Sequence, residues 1–169
     1  MKQDVENVIK SHTELNSDEY FMQEALKEAN LAYLENEVPV GCVVVRNNTI
    51  IARSHNTRDK EEDIFGHAEI KALKEASSQI GSWILDDVSV YVTLEPCFMC
   101  AGALLQARVK KIVFAASEPK HGAIGSITNI FELPNINHHP EIIKGINEIE
   151  ASTLLKQFFK DLREKRKSK

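Results

Sequence analysis

The residues with the most suggestive spacing for chemistry are His67 and Glu69, with one alanine between them, and Cys97 and Cys100, which form a C-x-x-C pair. Pro96 precedes the cysteines and suits the first turn of a helix, where its missing N–H costs no hydrogen bond. Side chains spaced as Cys97 and Cys100 are share one helix face. The free N–H groups and macrodipole at a helix start favour thiolate, the form that binds metal. Alone, the pair reads equally as a redox dithiol at a strand-to-helix turn or as a chance structural pair. His67-Ala68-Glu69 opens a second predicted helix, where a histidine is ordinarily a cap or core residue and a glutamate ordinarily serves the dipole. Together the pieces point further. One imidazole and two thiolates leave the fourth tetrahedral position of a zinc ion to water, as a catalytic site requires. Zinc lowers the pKa of that water to about 7, and Glu69, beside the ligands but not one of them, suits the transfer of its proton. A closed structural site needs a fourth ligand. The remaining thiol, Cys42, lies in Val40-Gly41-Cys42-Val43-Val44, where it reads as a small buried apolar residue.

These residues need a scaffold of alternating helices and strands. Phe21, Met22, Ala25, Leu26, Ala29, Ala32 and Tyr33 recur at the helical period, and the helix is expected to enter through Asn16 or Ser17. Val38 to Val45 and Thr49 to Ala52, around Asn47-Asn48, predict a β-hairpin. A polar loop over 56–66 leads to a helix over 67–76. A strand over 88–93 runs into a helix from Pro96 to about Arg108, and a strand follows over 111–116. The connection over 117–140 is long enough to be expected at the border of an active site. Ile142-Ile143 reads as a short last strand. A final helix opens at Asn147, an N-cap with Glu150 at N3, and carries Leu154, Leu155, Phe158 and Phe159. No internal repeat or low-complexity segment interrupts this order, so the fold class is α/β, in layers.

The chain has 169 residues, of which 43% are hydrophobic and 27% charged, as in an ordinary one-domain globular protein. No apolar run reaches the roughly 20 residues of a membrane helix, and the first residues lack the apolar stretch of a secretory signal. A cytoplasmic location is therefore expected, and an odd cysteine count in a reducing compartment favours metal or redox chemistry over disulfides. Charge is unevenly placed. From Lys156 onward seven basic residues face Asp161 and Glu164, a net +5 in a chain of net charge −4. That tail reads as a phosphate-binding patch or as a solvated, frayed helix end.

The stretches His67-Ala68-Glu69 and Pro96-Cys97-Phe98-Met99-Cys100 match the H-x-E…P-C-x-x-C signature. On them the chain resembles the cytidine-deaminase-like superfamily. Within it, the chain is most similar to the bacterial tRNA adenosine deaminases through Glu37-Val38-Pro39-Val40-Gly41, His55-Asn56-Thr57-Arg58, Tyr91 to Ala103, Gly122 to Ser126 and Asn137-His138. The likeness covers residues 18 to 163. It implies a three-layer fold with a five-stranded mixed sheet flanked by helices, and a CMP/dCMP-type zinc deaminase domain over 17–165. A polar leader precedes that domain over 1–16, and a basic helix end and tail follows over 156–169. It further implies one zinc per subunit on His67, Cys97 and Cys100, with Glu69 catalytic. The implied substrate is the wobble adenosine of a tRNA anticodon stem-loop, converted to inosine by a homodimer. By the same carry-over Asn56 hydrogen-bonds the flipped base, Val40 and Leu94 wall its pocket, and the backbone near Ala68 reads its edge. Glu118 stands near the nucleotide where the family commonly has aspartate, and Lys120 with the basic tail holds phosphates.

The same zinc chemistry would also serve a deaminase of a free nucleobase, nucleoside or nucleotide. Two readings from other classes are a zinc-stabilised RNA-binding module, which leaves Glu69 unexplained, and a dithiol redox protein.

Overall fold

The computed structural model describes the backbone of residues 2–168 and the side chains of residues 17–168. The polar leader expected over 1–16 therefore lies, in its side chains, outside the described residues. Five helices and five strands follow in the order α1 (Lys2–Leu34), β1 (Gly41–Arg46), β2 (Thr49–His55), α2 (Arg58–Glu61), α3 (Ala68–Ile80), β3 (Val88–Leu94), α4 (Phe98–Gln106), β4 (Lys111–Ala116), β5 (Glu141–Lys144) and α5 (Glu148–Lys167). A 3-10 turn at Ile130–Glu132 lies between β4 and β5.

The strands form one sheet in the order β2-β1-β3-β4-β5. β1 runs antiparallel to β2 and β3, and β3, β4 and β5 run parallel. This is the five-stranded mixed sheet that the resemblance implies. Helices cover both faces, so the central strands are apolar on both sides and their side chains divide by parity. Cys42, Val44, Val90, Val92, Ile112 and Phe114 pack with α3 and α4. Val43, Val45, Tyr91, Val113 and Ala115 pack with α1 and α5. Phe21, Met22, Ala25 and Leu26 supply the α1 side, each at most 6% exposed.

Several element boundaries differ from the sequence reading for local reasons. The α1 backbone runs through Ser17 without a break, in place of a cap at Asn16 or Ser17. β1 starts at Gly41 rather than Val38. A Cβ on Gly41 would lie 2.0 Å from the Ala25 carbonyl oxygen, so the strand enters the sheet pressed against α1. The hairpin turn is as expected, with Asn47 and Asn48 both at positive φ (49° and 60°). The polar loop contains the one-turn helix α2, which buries nothing and leaves no pattern to read. α4 begins at Phe98, with Cys97 as its N-cap and Pro96 one position earlier. At the last helix Asn147 takes the N-cap position, as expected, but its side chain makes no cap hydrogen bond. It sits in left-handed backbone at φ 57°, and its Nδ2 donates to the Glu150 carboxylate instead. Among the described residues, no helix is long and apolar enough to cross a membrane.

Candidate active site

Two helix starts meet on the α3/α4 face of the sheet. β3 ends at Leu94 beside Ala116, the end of β4, and the chain turns through Glu95 and Pro96 to set Cys97 at the mouth of α4. β2 ends at His55, and Thr57 and Gly66 close the next loop through a backbone hydrogen bond of 2.9 Å. That closure delivers His67 to the N-cap of α3. Neither N-cap side chain makes a capping hydrogen bond; the two side chains turn toward each other instead. His67 Nδ1 lies 3.6 Å from Cys97 Sγ and 3.5 Å from Cys100 Sγ.

These three residues form the metal-competent cluster found among the described residues. Zinc bonds of about 2.3 Å to sulfur and 2.0–2.1 Å to nitrogen, at tetrahedral angles, would hold N and S about 3.5–3.6 Å apart. The observed spacings match. Cys42 is fully buried in the core and is not part of the cluster, as its strand context suggested.

The protonic state of the cluster suits a cation. Its hydrogen bond with Cys100, and then its pairing with His67, pull the Cys97 thiol down to about 3. The pairing with Cys97 and then burial push Cys100 up. The hydrogen bond to Cys97 raises His67 against desolvation. A divalent cation displaces the protons shared among such groups. Glu69 is 4% exposed, in the first turn of α3, and burial pushes its carboxyl up. Its environment therefore favours the protonated carboxyl more than water does.

A cavity of about 330 Å³ opens over the cluster. Val40, Asn56, Ala68, Leu94 and Glu118 all line it, together with His67, Glu69 and Cys97. Lys120 does not. It is exposed outside the lining, and its backbone N–H donates to Glu118 Oε1 at 2.9 Å. The long connection borders the site only through its first turn, at Glu118 and His121, while Ile124, Ile130 and Phe131 sink into the core. The basic tail continues as helix to Lys167, and Lys165 Nζ donates to Asn36 Oδ1 at 2.7 Å.

The residue-by-residue reading assigned no task to two buried carboxylates at this site. Glu37, 1% exposed, accepts hydrogen bonds from Asn56 Nδ2 (3.3 Å) and from the N–H groups of Asp59 and Lys60. Val38 O takes a further bond from Asn56 Nδ2, and Asn56 Oδ1 accepts the Arg58 N–H, which fixes the orientation of the amide. Glu95, 3% exposed, accepts from Glu118, Ile124 and Ser126. Burial alone would raise Glu95, and the bonds from Ser126, Glu118 and Ile124 overcome it and lower its pKa.

The family model for MafB19-like deaminases matches residues 15–163. The tRNA-specific adenosine deaminase of Bacillus subtilis (strain 168) is 44% identical over 154 residues, covering 91% of this chain and 96% of that protein. The chain belongs to the family of tRNA-specific adenosine deaminases. A second relative of that family, from Aquifex aeolicus (strain VF5), is 43% identical over 86% of this chain and 95% of its own length. A solved structure from work on A-to-I editing by tRNA:A34 deaminases at the wobble position of transfer RNA is 39% identical. It superposes with a TM-score of 0.78 over 80% of this chain and 99% of that one. The family's fold is thus present.

Proposed function

We propose that this chain converts the wobble adenosine of a tRNA anticodon to inosine, with one zinc ion held by His67, Cys97 and Cys100 and with Glu69 as the proton carrier. The observation that carries the reading is the convergence of His67 Nδ1 with both sulfurs beside buried Glu69, under a cavity large enough for one base. At about 330 Å³ the cavity is near the lower limit of roughly 300–1,000 Å³ for ligand pockets, so it suits a single heterocycle and not a stack.

Zinc bound there supplies Lewis acidity that brings the pKa of water to about 7. Glu69 takes a proton from the attacking water and delivers it to adenine N1, while the water oxygen adds at C6. The same carboxylate then takes the remaining water proton from the C6 hydroxyl and passes it to the exocyclic amine; the C6–N bond breaks, C6=O forms, and ammonia departs. The base must first be splayed out of the anticodon loop, which costs less than extrusion from a duplex because loop bases are unpaired. Asn56 is assigned a hydrogen bond to the base, Val40 and Leu94 its walls, and the Ala68 backbone its edge; all four residues line the cavity. Glu118 is assigned to the rim. Lys120 and the exposed Lys160, Arg163 and Arg166 are assigned to phosphates, where their charge acts at short range.

The active form is proposed to be a cytoplasmic homodimer. Ile64, Phe65, Trp83 and Phe98, each more than half exposed, are among the apolar side chains that a second copy would cover. Sequencing one tRNA pool before and after treatment tests the function through A-to-I change at the first anticodon position. Ammonia released from free adenosine, guanine or cytidine, with tRNA unchanged, would assign the site to a small-molecule substrate instead. Light scattering on the purified chain tests the dimer.

A further inference from the structure

Glu95 lies between Leu94, a wall of the cavity, and Cys97, one of the cluster sulfurs. A buried carboxylate is costly unless its lone pairs are satisfied. Here four donors satisfy them, and all belong to one loop. Oε1 accepts the N–H groups of Ile124 (3.1 Å) and Ser126 (3.0 Å). Oε2 accepts the Glu118 N–H (3.0 Å) and the Ser126 hydroxyl. Gly122 leaves the space for this contact, since a Cβ there would come within 2.4 Å of Glu95 Cδ. The backbone adds a short ladder beside the carboxylate: Ala123 N–H donates to Pro96 O at 2.9 Å, and Cys97 and Gly122 pair as an isolated bridge. The loop held in this way carries Glu118 and His121, which line the cavity together with Asn56 and Ala68.

We infer that Glu95 is a positioning residue: it latches the 118–126 loop to the strand that carries Cys97, and so sets the affinity of the rim for RNA without taking part in the proton transfers. Bonds to an ionised acceptor are about twice as strong as neutral ones, and four of them converging on one side chain fix the loop at both ends. The inference rests on the proposed action on tRNA. It names a determinant of binding among the residues that line the cavity, one that acts through the loop it holds.

The test uses the full-length, zinc-loaded protein. Glu95→Gln keeps the size of the side chain but presents an NH₂ group to donors that need an acceptor. It should raise KM for an anticodon stem-loop about tenfold while kcat stays within about threefold, with zinc per chain unchanged. Amide hydrogen exchange at Ile124 and Ser126 should speed up in parallel. Ser126→Ala, which removes one of the four donors, should shift KM the same way by a smaller factor. It decides the matter should Glu95→Gln fail to fold: an unchanged KM in Ser126→Ala then overturns the inference. Glu95→Gln with wild-type KM and exchange, or with lost zinc or kcat at unchanged KM, overturns it as well. A wild-type chain that leaves tRNA unaltered refutes the functional reading alone. The latch is then decided by exchange at Ile124 and Ser126 in Glu95→Gln, where faster exchange supports it and unchanged exchange overturns it.

Discussion

The missing side chain of Gly122 is what lets its backbone approach Glu95, because a methyl group there would stand 2.4 Å from the Glu95 carboxyl carbon and 2.6 Å from the Glu118 carbonyl oxygen. Neither neighbour is free to move: one is a carboxylate bound by four donors and the other is backbone. Gly122→Ala should therefore destabilise the fold by about 1–3 kcal/mol, the usual cost of overpacking, as measured by urea unfolding. A variant as stable as the parent would show that the loop yields freely.

Cys42 is fully buried among Val44, Ala68 and Val92 and stands apart from the cluster. Cys42→Ala should cost about 1 kcal/mol, in the range of losing one small buried group, and retain one zinc per chain by elemental analysis. Cys97→Ala or Cys100→Ala should lose the metal. Zinc loss on replacing Cys42 would make it a fourth ligand and leave no place for water.

Glu69 is buried beside the cluster without belonging to it. Glu69→Gln should keep stoichiometric zinc and lower single-turnover deamination by about 10²–10⁴, the scale of general acid–base catalysis. Near-normal turnover in that variant contradicts the role assigned to the carboxyl.

Tyr91 donates to Asp18 at 2.6 Å, and Lys111 Nζ donates to the same carboxylate at 2.8 Å, inside the α1 face of the sheet. Burial first, and then the hydrogen bond to Asp18, push the Tyr91 phenol far above its ordinary value of 10.0. The folded state thus holds the phenolic proton more tightly than the unfolded chain. Its contribution to stability is complete below pH 10 and declines as the pH rises beyond that value. The difference in melting temperature between the parent and Tyr91→Phe should narrow steadily above pH 10. A difference that stays constant to pH 11.5 would contradict the shift.

What could be read from the sequence, and what could not, follows from the range of the signals. His67 with Glu69, and Cys97 with Cys100, are spaced within a single helical turn, so their roles could be proposed from local pattern. β1, β3 and β4 announced themselves as β-branched runs because both sheet faces are covered. Glu37 and Glu95 gave no such signal. Most of their partners are backbone N–H groups far downstream, and backbone groups carry no residue identity to recognise. The four residues of α2 have no buried face, so nothing periodic marks them. Asn147 met the composition of an N-cap, but left-handed backbone turned its amide to Glu150.

The two sulfurs of the cluster are neighbours along the chain, whereas His67 reaches them only after the sheet has stacked α3 beside α4. An unfolded chain therefore retains a two-toothed thiolate chelate, and an ion held by it stabilises both states. The net gain on folding is set by the third tooth, the imidazole, rather than by the whole affinity. For the proposed zinc, the sulfur pair would thus be available before the sheet is complete, and the imidazole only after it.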